Sequence, residues 1–227
     1  MPKFKREFEL DFIVANAENA SGGFGLTATN AHELLGCGID AITGGNHSFD
    51  KKDVVALMDA LPIIRPYNHF AGIAGRGAIN LSKEGKSLSV VNLMGHYGLP
   101  HTNNAFLEAE RALKECESEN ILIDFHAEAT SEKNAFFRLF CGRVGAIARR
   151  LQGPAGAMRL RGFTVPVGEC DPACLPALVG SGAAAGWGGG LDLTISRTAI
   201  LAEDVRILQV TGISPQWSGG EVSPRAG

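Results

Sequence analysis

Over its first 140 or so residues the chain alternates strand-like with helix-like segments, and this order constrains the fold more than any other feature. FIVANAE (12–18) is an apolar, β-rich run, and TNAHELLGCG then reads as a helix closed by Gly36 or Gly38. IDAITGGN is the next strand. SFDKKDVVALMDAL follows as a helix with Ser48 as N-cap and Val54, Val55, Met58 and Leu61 on one face. GAINLSKEGKSLSVVNLMG reads as a hairpin turning near Glu84-Gly85. Phe106, Ala109, Leu113 and Cys116 mark an amphipathic helix, ILIDFHAE (121–128) is a buried strand, and a further helix starts near Ser131. Such alternation predicts an α/β domain with a largely internal sheet.

From about Gly142 the character changes. Every lysine lies at or before Lys133 and every histidine at or before His126, while Gly, Ala, Pro and Arg crowd the remainder. We therefore divide the chain into an α/β region, 1–141, and an atypical region, 142–227. The second is either a Gly-rich C-terminal extension or a tail from another coding frame. Within it, FTVPV and DVRILQVTGI read as strands, whereas GSGAAAGWGGG offers little to bury.

Charge and patterning exclude several classes. A formal net charge of -3 supplies no basic footprint for nucleic acid or an anionic membrane. The least polar window, Leu175 to Leu191, is dominated by Gly and Ala and makes a poor membrane span. MPKFKREFELDF has no apolar stretch of the kind a signal peptide needs, so a soluble, cytoplasmic protein is expected. Five cysteines without a second Cys pair or a following histidine argue against a zinc knuckle and for reduced, structural thiols. No Gly-x-x-x-x-Gly-Lys-Ser/Thr or placed Gly-x-Gly-x-x-Gly appears, which disfavours a generic nucleotide-binding fold.

Three of the strands end on polar residues of metal-ligand type. The first delivers Glu18 and Asn19, the second Asn46 and His47, the third His126. In open α/β sheets ligands gather outside the carboxyl ends of the strands. A carboxylate can bridge two cations, and amide oxygen with imidazole nitrogen suits iron, manganese or zinc better than calcium. Two such cations can clamp a phosphate and generate a hydroxide nucleophile. Each residue also has a plainer role: Glu18-Asn19 could cap a turn, Asn46-His47 could stabilise a loop, and His126 could be a satisfied core histidine.

NAENASGGFGLT, GIDAITGGNHSFDKK, IIRPYN, VNLMG and ILIDFHAEATSEK, in this order, resemble the YmdB-like branch of the calcineurin-like metallophosphoesterases from about Asp11 to Val144. The resemblance implies an αββα sandwich and a centre of two metal ions (Fe, Mn or Zn). It also implies phosphodiesterase activity toward a small phosphodiester such as a 2′,3′-cyclic nucleotide, and a homo-oligomer. By motif, Glu18 would bridge the metals, and Asn46 and His126 would hold one of them. His47 would protonate the leaving oxygen, and Asn19 would be a substrate contact near the phosphate.

Two family elements have no counterpart here. Family members open with a strand carrying Gly-Asp, and they follow the HAEATSEK helix with a His-x-His pair. In this chain MPKFKREFEL precedes Asp11, and no histidine follows His126. The sandwich is therefore expected to be incomplete and one metal alone to keep several ligands. A catalytically impaired or truncated relative, acting at most as a nucleotide- or protein-binding module, is the alternative. Limited proteolysis should cut first between Gly180 and Gly190, and protection there equal to that of ILIDFHAE would show a packed tail.

Overall fold

Every residue of the first strand, β1 (Phe12–Asn16), is buried, which requires a sheet covered on both faces. The computed structural model describes residues 5–6, 9–99, 102–149, 161–164, 184–186, 191–200 and 205–215. After β1 come α1 (Ala28–Gly36), β2 (Ala41–Thr43), α2 (Lys52–Val55), β3 (Ala78–Lys83) and β4 (Lys86–Met94). Next are α3 (Ala105–Ala112), prolonged by a 3-10 turn, then β5 (Ile121–His126) and α4 (Thr130–Phe140). The remaining strands are β6 (Ala146–Arg149), β7 (Arg161–Thr164), β8 (Ala184–Gly186), β9 (Leu191–Ile200) and β10 (Arg206–Pro215).

The strands form two five-stranded sheets, ordered β2-β1-β10-β9-β8 and β3-β4-β5-β6-β7. In the first, β1 runs parallel to both β2 and β10, while β9 runs antiparallel to β10 and β8. In the second, β4, β5 and β6 are parallel, and β3 and β7 are antiparallel edges. Strands from beyond residue 142 thus contribute to both sheets among the described residues. β10 pairs with β1 from Phe12 to Ala15, and Ile207, with Val205 just before the strand, lies among the buried residues between the sheets.

The twofold alternation of the strands sorts their side chains into three apolar layers. Phe12 and Val14 meet Leu88, Val90, Leu122, Ala146 and Ala148 in the layer between the sheets. Ile13 and Ala15 point the other way, to Ala31 and Leu34 of α1 and Val54 of α2. On the far face of the second sheet Leu93, Ile123, Phe125 and Ile147 pack under Ala109 of α3 and Phe136 and Phe140 of α4. Helix, sheet, sheet and helix therefore stack as the αββα sandwich that the resemblance implies.

Local details follow the sequence, with exceptions. Glu84 (φ 52°) and Gly85 (φ 79°) make the two-residue turn between β3 and β4, both in the left-handed region such a hairpin needs. Thr27 caps α1 by accepting from Asn30 N, and Asn104 caps α3 by accepting from Phe106 N and Leu107 N. Ser48 does not cap a helix. Its hydroxyl donates to Gly45 O at 2.7 Å and accepts from Gly45 N at 2.9 Å, so the α-helix begins only at Lys52 and spans four residues. Val54 and Met58 are buried all the same. The Gly-rich stretch forms the strand Ala184–Gly186, against expectation; Gly180 to Ala183 and Trp187 to Gly190 lie outside the described residues. Strand β9 carries no signal that the sequence reading used.

Cys37 and Cys116 are free thiols pushed up in pKa, chiefly by burial. Among the described residues no helix is long and apolar enough to cross a membrane.

The layer under α4 turns on Phe136, whose ring stacks on Phe125 at 4.1 Å and leans on Phe140 at 4.5 Å. Phe136→Ala should lower stability by about 3–5 kcal/mol, read as a shift in urea midpoint at unchanged slope.

Candidate functional site

Strands β1, β2 and β5 all end at the same place. β1 and β2 are parallel neighbours in one sheet, and β5 lies in the other; the residues just past their ends meet across the gap. His126, the last residue of β5, sets its Nε2 2.9 Å from Asn46 Oδ1 and 3.5 Å from Glu18 Oε2. Asn19 donates from Nδ2 to Glu18 Oε1 at 3.3 Å. Glu18 and His126 are each only 2% exposed, so a carboxylate and an imidazole share a dry place and compensate one another. Four of the five residues singled out from the sequence therefore form one contiguous group.

His47 is the fifth, and it sits at the rim. Its Nδ1 pairs with Asp50 Oδ2 at 2.7 Å, and its ring meets that of Phe24 edge-on at 5.2 Å. The Asp50 bond fixes the ring and leaves Nε2 as the nitrogen that can exchange a proton with a ligand.

The two glycines of AITGGNH have separate tasks. A Cβ on Gly45 would fall 1.7 Å from Glu18 Oε2, and one on Gly44 would fall 2.1 Å from Ser48 Oγ. Gly45 thus lets the loop close over the Glu18 carboxylate.

Beneath the site lies a buried polar network that the sequence reading missed. Asn16 Nδ2 donates to Gly44 O at 2.9 Å, and Gly44 N donates to Asn92 Oδ1 at 3.2 Å. Both asparagines are tied to Asp124: its Oδ2 accepts from Asn16 Nδ2 at 3.0 Å, and its main-chain oxygen accepts from Asn92 Nδ2 at 3.1 Å. Thr43 also donates its hydroxyl to Asp124 Oδ2. Gly44 is held through both its N–H and its C=O, and β1, β2, β4 and β5 are locked in one arrangement. Asn68 does the same for the end of β4, donating to Met94 O at 2.6 Å and accepting from Met94 N at 2.9 Å. The signal in the sequence was a polar residue inside each apolar run: Asn16 in FIVAN, Asn92 in VVNLM, Asp124 in ILIDF.

The donor set of Glu18, Asn46 and His126 is one carboxylate, one amide oxygen and one imidazole nitrogen, with His126 within hydrogen-bonding or ion-pair range of the other two. That chemistry fits one transition-metal cation. Among the described residues no group of three or more His, Cys, Asp or Glu could hold a metal. Asp11 cannot join the set. It stands before β1, at the end opposite Glu18, and its Oδ2 accepts from Lys86 Nζ at 2.9 Å and from Arg206 N at 2.7 Å.

The pattern that defines the YmdB-like proteins matches residues 1–149. The chain belongs to the YmdB-like family. It is 41% identical over 150 residues to the 2′,3′-cyclic-nucleotide 2′-phosphodiesterase of Bacillus subtilis (strain 168), a stretch that is 65% of this chain. The same stretch spans 57% of that relative's length. The fold of the chain is similar to that of a hypothetical protein from Thermus thermophilus, with a TM-score of 0.66 at 27% identity, covering 94% of this chain and 89% of the other. A structure titled as a novel phosphatase of Mycoplasma pneumoniae is similar at TM-score 0.58 and 29% identity, covering 70% of this chain and 62% of that one. This YmdB-like chain therefore shares the calcineurin-like architecture of its relatives.

Gly45→Ala should destabilise the YmdB-like domain by about 1–3 kcal/mol, because the added methyl collides with the Glu18 carboxylate. Gly36→Ala, at a helical glycine with open space around its Cβ, is the control and should be neutral or stabilising. Urea midpoints of the two variants check the contrast.

Proposed function

We propose that this chain is a metal-dependent phosphodiesterase that hydrolyses a small phosphodiester of the 2′,3′-cyclic nucleotide class. The observation that carries the reading is the meeting of His126 with Asn46 and Glu18, at 2.9 and 3.5 Å, beyond the ends of β1, β2 and β5. The name of the Bacillus subtilis relative supports the substrate class. Glu18, Asn46 and His126 would hold one cation of the iron, manganese or zinc type, and Glu18 would share a second. The metal centre supplies charge neutralisation at the phosphate and an activated water.

The chain's own residues supply the rest. Water oxygen bonds to phosphorus and gives up a proton to solvent, the bond from phosphorus to the 2′ oxygen breaks, and that oxygen takes up a proton. His47, oriented by Asp50, donates that proton from Nε2. Asn19, beside Glu18, contacts a phosphate oxygen. The burial of Glu18 and His126 keeps bulk water from screening the charges that develop. The reading carries with it a cytoplasmic location, a homo-oligomeric assembly and a division of the chain near residue 141.

A second reading is favoured by the place of Asp11, engaged by Lys86 and Arg206 at the wrong end of β1. With the second cation poorly held, the chain would bind a nucleotide or a protein without turnover. Metal content per chain and hydrolysis separate the two. The phosphodiesterase reading expects manganese- or iron-stimulated cleavage of bis(p-nitrophenyl) phosphate and of 2′,3′-cyclic AMP, and its loss on chelation. His47→Ala should lower kcat by about 10²–10⁴-fold with bound metal retained, whereas His126→Ala should lower the metal content itself. No turnover under any metal, with one cation or none per chain, would support the second reading, and two tightly held cations would rule it out.

A further inference from the structure

Phe24 packs against the ring of the proposed proton donor, and it is 58% exposed. An exposed phenylalanine forgoes burial worth about 1.5–3 kcal/mol, and scattered single cases need no explanation. Phe24 differs because the backbone on either side of it is hydrogen-bonded into the site. The loop carries glycines in the left-handed region on both sides, Gly22 and Gly23 before it and Gly25 after it. It closes on itself through Ser21 N to Gly25 O at 3.0 Å, and it is tied to the site through Gly25 N to Glu18 O. On its other side Gly25 packs so closely on the His47–Lys51 segment that a Cβ would meet Lys51 Cγ at 3.0 Å and His47 O at 3.2 Å. A loop closed by backbone hydrogen bonds and packed on the His47–Lys51 segment therefore holds an aromatic ring out in solvent, at 5.2 Å and 75° to the His47 ring.

We propose that Phe24 is a specificity-determining residue, its exposed ring stacking on the nucleobase of a nucleoside 2′,3′-cyclic phosphate or its 3′-phosphate product. This rests on the function proposed above, in which His47 delivers a proton to the ribose 2′ oxygen. A donor must come within about 2.6–3.2 Å of the oxygen it protonates. The sugar then lies against His47, and the base on that sugar extends over the neighbouring ring. Stacking is tolerant of base identity, since every base offers a π face. Phe24 thus selects for the presence of a base rather than for which base it is.

The test compares binding of adenosine 3′-monophosphate with binding of ribose 3-phosphate by calorimetry on the full chain in manganese, so that it does not depend on turnover. Phe24→Ala should weaken the nucleotide by about 5- to 150-fold while the base-free sugar phosphate loses much less, so that the preference collapses. Phe24→Trp should restore it. Equal weakening of both ligands, no weakening of either, or no binding of the nucleotide to the unaltered chain overturns the proposal. The two readings fail separately. Base-dependent binding without hydrolysis removes the phosphodiesterase reading and keeps Phe24 as a base contact. Hydrolysis of 2′,3′-cyclic AMP with KM unchanged in Phe24→Ala does the reverse.

Discussion

The backbone of Gly44 is the point on which the site depends. Its N–H is taken by Asn92 and its C=O by Asn16, and both asparagines are bonded to Asp124. A buried amide that lost either partner would carry a desolvation cost of about 1–3 kcal/mol, so the network favours one arrangement strongly over its neighbours. Asn46 and His47 follow Gly44 closely in the chain, and their positions relative to His126 are set by that arrangement. The network also crosses between sheets: Asn16 and Thr43 belong to one, Asn92 and Asp124 to the other. The sandwich therefore brings its ligand-type residues together through polar contacts at one end, while the apolar layer between the sheets holds the rest.

Burial of Glu18 and His126 follows from the same geometry. A carboxylate in so dry a place is costly unless a positive or hydrogen-bonding group compensates it. Here the imidazole at 3.5 Å and the amide of Asn19 do so, with Gly45 giving the space. The resulting group is compact, rich in oxygen and nitrogen donors, and bordered by a rim of His47 and Phe24.

Family membership and completeness of the centre are separate matters in this chain. The family pattern covers residues 1–149, and the segment shared with the Bacillus subtilis relative spans 57% of that protein. The compositionally distinct region beyond residue 142 still supplies β10 to the middle of the first sheet and Val205 and Ile207 to the layer between the sheets. Its strands contribute to the sandwich, whereas the described donors all come from residues before it.

The sequence by itself determined the alternation of strands and helices and the candidate donors, and the layer order came from the family resemblance. Twofold alternation in FIVAN, SLSVVNLM and ILIDFH assigns each side chain to a face, and caps such as Thr27 and Asn104 act within a few residues of themselves. Glu18, Asn19, Asn46, His47 and His126 were legible because they stand at or shortly after strand ends. Contacts over long separations were not legible. Asn16 and Asp124 are 108 residues apart, and Asn46 and His126 are 80 apart, so no local pattern reveals that they touch. Ser48 looked like a helix cap because its neighbours are helical in pattern; the fold instead turned its hydroxyl back to Gly45. Strand β9 and the placement of β10 beside β1 likewise required the partner strand, since a strand's hydrogen bonds lie outside its own sequence. Which polar residues support the site, and which ring stands at its rim, were decided only when the two sheets packed.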